Sequence, residues 1–122
     1  GGIDAEQLLQ VARQLFLYFL TDDFAARCRR MLTLEQYRDS AAGKAFHQLF
    51  FRAPIEYQAN LFAGLMEQGA FIAGDPETAA LQFYAPIFLL LNEYNRKPKR
   101  QTEALERLDK HIRIFSHYYQ VT

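Results

Sequence analysis

The stretch that decides the fold runs Asp75-Pro76-Glu77-Thr78-Ala79-Ala80-Leu81-Gln82-Phe83-Tyr84-Ala85-Pro86-Ile87-Phe88-Leu89-Leu90-Leu91. With Gly74 ahead of it, the segment opens on a turn, a carboxylate that can cap free N–H groups, and a proline suited to a first helical turn. A helix is expected from Pro76 to about Asn95. Between Ala79 and Leu91 nearly every position is apolar, on every side of the rod. A surface helix shows one apolar stripe, whereas a helix apolar all round must be covered all round. A small chain meets that demand by burying the helix centrally, or by covering one face and lending the other to a second copy. Pro86 predicts a kink or a lost backbone hydrogen bond inside the rod. The run is too short to span a bilayer.

Downstream, Arg96-Lys97-Pro98-Lys99-Arg100 forms a basic loop, read as a solvated connection with an anionic partner as the other possibility. The final helix, about Thr102 to Gln120, spaces Leu105, Leu108, Ile112, Phe115 and Tyr119 by threes and fours, a narrow seam for helix packing. Glu103–Arg107, Glu106–Lys110 and Asp109–Arg113 are placed for i,i+4 ion pairs worth about 0.2–0.5 kcal/mol each, marking a solvated face.

Upstream, Asp4 and Gln7 resemble a capping box before a helix from Ala5 to Leu20, whose stripe is Leu8, Val11, Ala12, Leu15 and Phe19, widened by Leu9, Phe16 and Leu20. Thr21-Asp22-Asp23 reads as a stop and a new N-cap. Phe24, Cys28 and Met31 or Leu32 are then expected to face inward, with Arg27, Arg29 and Arg30 pointing away. Thr33 and Gln36 suggest another capping box and a short helix through Tyr37, and Ser40 is expected to cap the next. Pro54 suits the start of a helix with Ile55, Ala59, Phe62, Leu65 and Met66 inward, closed by Gly69. Ala70-Phe71-Ile72-Ala73 could pass for a strand, but one strand has nothing to pair with. The expected architecture is all-α, a bundle of about six or seven helices in a single domain over residues 1–122.

Composition narrows the function. Half of the 122 residues are hydrophobic, with eleven Phe, seven Tyr and no Trp. Fourteen acidic and fourteen basic residues cancel. A module that grips nucleic acid alone usually carries a positive excess, so none is expected to bind here directly. The single cysteine, Cys28, excludes an internal disulfide and a Cys-based zinc cluster, and suits a reducing cytoplasm. No positively charged leader with an apolar core is visible. Gly1-Gly2 reads as a cloning remnant ahead of a piece of a longer protein.

Catalytic patterns are missing. His47, His111 and His117 come without HExxH or ExxH spacing, and no phosphate loop or GxSxG elbow occurs. No enzyme activity, metal or cofactor is expected. The candidate site is aromatic: Phe16, Phe19, Phe46, Phe50, Phe62, Met66, Tyr84 and Phe88, all on faces assigned inward. Large rings with few small aliphatics leave gaps between helices, where apolar ligands bind. Tyr57 or Tyr84 could orient a polar ligand atom. Plain core packing is the competing reading for each of these residues.

The order of elements resembles the C-terminal regulatory domain of TetR-family transcriptional regulators. Three segments carry the likeness. The first is Arg29-Arg30-Met31-Leu32-Thr33-Leu34-Glu35-Gln36-Tyr37-Arg38, similar to a short-helix junction. The second is Pro54 through Gly69, ending in Leu65-Met66-Glu67-Gln68-Gly69-Ala70-Phe71, similar to the family's LxxGxxxG-like stretch. The third is Asp75-Pro76-Glu77-Thr78-Ala79-Ala80, similar to the start of the penultimate long helix. The resemblance implies a cytoplasmic, ligand-responsive regulator, usually a repressor, that meets DNA only through an N-terminal helix-turn-helix not in this chain. It implies a homodimer whose last two long helices build a four-helix interface, and a small apolar or amphipathic effector among the earlier helices. Ala79, Phe83, Ile87 and Leu91, with Leu105, Leu108, Ile112 and Phe115, are the expected dimer contacts. The alternative is a helical module that dimerises or docks a partner and has no small-molecule pocket.

Overall fold

A computed structural model describes residues 5–94 and 98–121. The elements are α1 (Ala5–Thr21), α2 (Asp23–Glu35), α3 (Ser40–His47), α4 (Ala53–Glu67), α5 (Pro76–Glu93) and α6 (Gln101–Tyr119), with a 3-10 turn at Pro98–Arg100. A π-helical stretch, Gln48–Arg52, joins α3 to α4 without a break. The described residues therefore form five helical rods, fewer than the six or seven expected. Two boundaries read from the sequence dissolve: Thr33 to Glu35 simply continue α2, and Pro54 sits in the first turn of α4 as the rod runs through. At Thr33 the hydroxyl donates to the Arg29 carbonyl one turn back, while Gln36 bonds the Thr33 carbonyl, so both close α2 instead of opening a new helix.

Other ends follow local chemistry. Asp22 accepts from the Ala25 N–H, Asp39 from Ala41 and Asp75 from Thr78, each capping a helix start. The cap of α3 is thus Asp39, one residue before the expected Ser40. Gly69 has φ 81°, the left-handed conformation that glycine adopts freely, and it ends α4. Beyond it the Ala70 and Phe71 N–H groups both bond the Leu65 carbonyl. Gly43 is required for a different reason: a Cβ there would lie 2.7 Å from the Gln36 carbonyl oxygen, where α3 passes the end of α2. Asp4, Asn95 and the first two residues of the basic loop, Arg96 and Lys97, with the capping box and boundary placed on them, lie outside the described residues.

The rod α5 lies along α4 and also meets α1 and α6, while α1 packs on α6 and α2. The core takes Leu8, Leu9, Ala12, Phe16 and Leu20 from α1, so the residues thought to widen its stripe are its centre, and Val11 and Leu15 are about half exposed. The segment after Gly69 does find a partner. Ile72 N–H bonds the Tyr119 carbonyl at 2.7 Å and Val121 N–H bonds the Ala70 carbonyl at 2.9 Å, an antiparallel bridge of Phe71 with Gln120. That bridge pins the C-terminal end and turns Phe71 into the core.

The inner face of α2 departs from expectation at Phe24, Met31 and Arg29, while Arg27 and Arg30 are exposed and Cys28 and Leu32 half-buried as the spacing suggests. Ala25, Ala26 and Arg29 are buried, whereas Phe24 is 75% and Met31 55% exposed. Small alanines allow α2 to approach the bundle closely, and the long Arg29 stem fills the interior beside them. Burial, with the neighbouring charge of Arg30, lowers the Arg29 pKa. Charged residues of α6 pair with residues outside that helix: Asp109 meets Arg13 at 3.2 Å, Arg107 meets Glu93 at 2.6 Å, and Glu103 meets Arg100 at 2.5 Å.

Candidate functional site

A cavity of about 260 Å³ lies between α1, the π-helical stretch with the start of α4, and α5. Its shape begins with two prolines' worth of missing hydrogen bonds. In an α-helix the Phe50 carbonyl would receive the N–H of residue 54, which is proline and has none. The rod takes a π-helical register here, and Leu49 and Phe50 within it border the cavity. The Phe50 carbonyl, denied that α-helical donor, accepts from the Tyr84 hydroxyl across the cavity, at 2.5 Å. Burial pushes the Tyr84 pKa up to about 12, so the phenol stays neutral and remains a donor.

On α5, Pro86 likewise removes an N–H from the ladder. One carbonyl further along, Phe83 is bonded by His111 Nε2 at 2.7 Å. A carbonyl only accepts, so that nitrogen carries the proton. Burial lowers the His111 pKa, partly offset by this bond. Tyr119 donates to Gln82 Oε1 on the next position, so α6 is tied to α5 at two adjacent points.

The cavity brings together Phe16, Phe19, Phe50, Tyr84 and Phe88 of the expected aromatic set. Phe46 stands behind the wall, its ring 5.2 Å from that of Phe50. Phe62 lies elsewhere: it is fully buried among Phe71, Phe83 and Phe115, at ring distances of 5.3–5.5 Å. Met66 packs, partly buried, against the same core. The rings thus divide into a solid cluster and a cavity wall, with Phe83 bordering both.

Several lining residues escaped the sequence reading. Ala12, Leu15, Leu49, Ala53, Pro54 and Gln58 all border the cavity, as do Phe83, Ile87 and Leu91, which had been expected at a dimer interface. Gln58 carried a readable signal, since it lies one turn after Pro54 and one before Phe62, on an otherwise apolar side of α4. Leu49 is legible as inward from its helical spacing with Phe46 and Phe50, but nothing in the order of residues marks it as a cavity wall.

The lining contains no Asp, Glu, Lys, Arg or His. Such a space can hold an apolar molecule but offers no paired acid and base. The three histidines lie apart: His47 is exposed and stacked on Phe51, His117 is exposed, and His111 serves the Phe83 carbonyl. Among the described residues no cluster of His, Cys, Asp and Glu could hold a metal ion, and no helix is long and apolar enough to cross a membrane.

The eight expected dimer contacts are placed mostly inside the protomer. Ala79, Phe83, Leu91, Leu108, Ile112 and Phe115 are buried, and Ile87 and Leu105 are half-buried. Exposed apolar side chains on the same helices include Leu81, Ala85 and Leu89 on α5 and Ile114 and Tyr118 on α6. A groove of about 380 Å³ between the two helices is lined by Gln82, His111, Ile114, Phe115, Tyr118 and Tyr119.

A family model for the C-terminal domain of AefR-like transcriptional repressors, a TetR-type domain, matches residues 6–121. No curated protein and no solved structure matches the chain. With an all-helical fold and a match that spans nearly every residue, this chain belongs to the family of AefR-like C-terminal domains of TetR-type regulators.

Proposed function

We propose that this domain senses a small apolar or amphipathic effector in the α1–α4–α5 cavity and holds its parent regulator, a cytoplasmic repressor, as a homodimer. The observation that carries the sensing role is the uncharged, ring-lined cavity beside a π-helical stretch in a chain of this family. Domains of this kind are generally regulatory and not enzymatic. An effector with different affinity for two arrangements of the dimer shifts their populations, and so the spacing of DNA-binding domains attached to them. Binding to the folded state alone stabilises it by about 2.7 kcal/mol at a ligand concentration a hundred times Kd. A panel of uncharged aromatic and aliphatic compounds is therefore expected to include some that raise the Tm by several degrees. A flat response across the panel would remove the sensing role.

Pairing is assigned to the exposed α5–α6 face, through Leu81, Ala85, Leu89, Ile114 and Tyr118, and not through the residues already covered by their own protomer. Leu89 and Ile114 are 63% and 71% exposed, more than large aliphatic side chains on a solvated helix need to be. Sedimentation at micromolar concentration is expected to give a dimer for the unaltered protein and a helical monomer for Leu89→Lys. A dimer that survives that substitution would place the contact elsewhere.

A docking module without an effector is the second reading. It is favoured by apolar side chains on and just after α2, where Phe24, Leu34 and Tyr37 are 75%, 73% and 90% exposed. The same compound panel separates the two readings.

A further inference from the structure

Building on the effector-cavity reading, we infer that the cavity takes an amphiphile end-on. The apolar body lies inside, and a single polar or charged group stays in water at a mouth framed by Leu15, Leu49 and Tyr57. The lining is graded in exposure. Phe16, Phe50, Phe83 and Leu91 are at most 6% exposed and close the inner part of the space. Leu15, Leu49 and Tyr57 border the same space and are 54%, 55% and 68% exposed. Those three belong to α1 and to the rod that runs from α3 into α4, whereas the lining residues of α5 are all buried or half-buried. The space therefore opens between α1 and that rod and is closed by α5.

The two ends differ in what they can do for a charge. No residue of the lining is ionised, and its polar side chains are Tyr57 at the mouth, Gln58 and Tyr84. Tyr84 has given its one proton to the Phe50 carbonyl. A single neutral amide does not replace the hydration shell of an ion, so a carboxylate carried to the inner end loses its water and gains no opposite charge. At the mouth the same group keeps its water, and only the apolar body leaves solvent. The size of the space, about 260 Å³, admits a body on the order of ten to fifteen non-hydrogen atoms at interior packing density.

The test uses three probes with one ring system: 2-naphthol, 2-naphthoate and naphthalene-2,6-dicarboxylate, titrated calorimetrically at neutral pH. The unaltered protein is expected to bind 2-naphthoate within about tenfold of 2-naphthol, because its one charge stays in water. The dicarboxylate must carry a charge inward and is expected to bind more than about tenfold weaker than 2-naphthoate. Leu15→Lys and Tyr57→Lys each set an ammonium at the mouth. At low salt they should tighten 2-naphthoate about twofold to fivefold and leave 2-naphthol unchanged. If 2-naphthoate binds more than about tenfold weaker than 2-naphthol, or the dicarboxylate binds within about tenfold of 2-naphthoate, the orientation is overturned without any variant being made. A 2-naphthoate affinity that moves in neither folded lysine variant overturns it too. Those outcomes leave the cavity standing as a binding site, whereas failure of the unaltered protein to bind any of the probes overturns the inference together with the cavity reading.

Discussion

Two groups of aromatic rings, built from the same residue types on neighbouring turns, behave differently. In the first, Phe62 meets Phe71, Phe83 and Phe115 within 5.5 Å, and all four are at most 6% exposed. In the second, Phe19, Phe50, Tyr84 and Phe88 stand around a space, with Leu15, Leu49 and Tyr57 at its open rim. The difference lies in the backbone beneath them. The solid cluster is drawn from regular helix and from a tail held by two backbone hydrogen bonds. The open one sits where a π-helical register and a proline have interrupted the ladder, and a tyrosine hydroxyl reaches across to the Phe50 carbonyl. Rings pack solidly where the helices are regular and leave room where the register slips.

Breaking each cluster in turn should give unequal costs. Phe62→Ala is expected to lose about 3–5 kcal/mol in urea unfolding, the cost of a cavity in a solid core. Phe88→Ala removes a half-buried ring that already borders a void, and is expected to lose less than half as much. Equal losses would mean that the second cluster is as tightly packed as the first.

Adding atoms sharpens the contrast further. Ala80 and Ala12 are both buried, but Ala80 belongs to the solid core and Ala12 also lines the space. Ala80→Leu is expected to cost about 1–3 kcal/mol through overpacking. Ala12→Leu has room to grow and should stay within about 1 kcal/mol of the unaltered protein while abolishing the Tm response to apolar compounds. Comparable destabilisation by the two leucines would argue against a usable space.

Tyr84→Phe addresses the link between backbone and space. It removes the hydroxyl donor from the Phe50 carbonyl, at a cost of about 0.5–1.5 kcal/mol. Loss of that order in denaturation is expected; a neutral result would show that water reaches the carbonyl.

The smallest effect concerns pH at the seam of α5 and α6. The folded His111 pKa is depressed below its ordinary value of 6.5 by burial. The folded state then binds its proton less readily than the unfolded state does. The stability it contributes is present above about 6.5 and is lost as the pH falls through the folded value. The urea midpoint should therefore drop between neutral and mildly acidic solution, by less in His111→Gln, which keeps an N–H for the Phe83 carbonyl. The same drop in both proteins would assign the slope to other groups.

Particular residues mark how far the sequence could be read. Asp22, Gly69 and the Asp75-Pro76 start behave as local rules require, because a cap is a matter of hydrogen bonds within three or four residues. The α2 face was misjudged because Phe24 and Met31 look like core while Arg29 does not, yet close approach favoured the alanines beside Arg29. The Thr33 and Pro54 boundaries were misjudged because each motif also fits a continuing helix. Among the candidate ligand residues, Phe50, Tyr84 and Phe88 were legible as inward aromatics; Phe62 was equally legible as inward, though it faces rings and not the space.

The amino-acid order by itself determined an all-helical chain, the ends of several of its helices, an α5 too apolar to stand in water, and the absence of a net charge that could grip nucleic acid. Tertiary structure alone decided that Ala79, Leu108 and Ile112 are spent on the protomer's own core, that Leu89 and Ile114 are left over, and which rings enclose a space. The physical reason is range. Capping and periodicity act over one or two turns, whereas which rings border a space depends on partners more than thirty residues away, such as Tyr84 with Phe50.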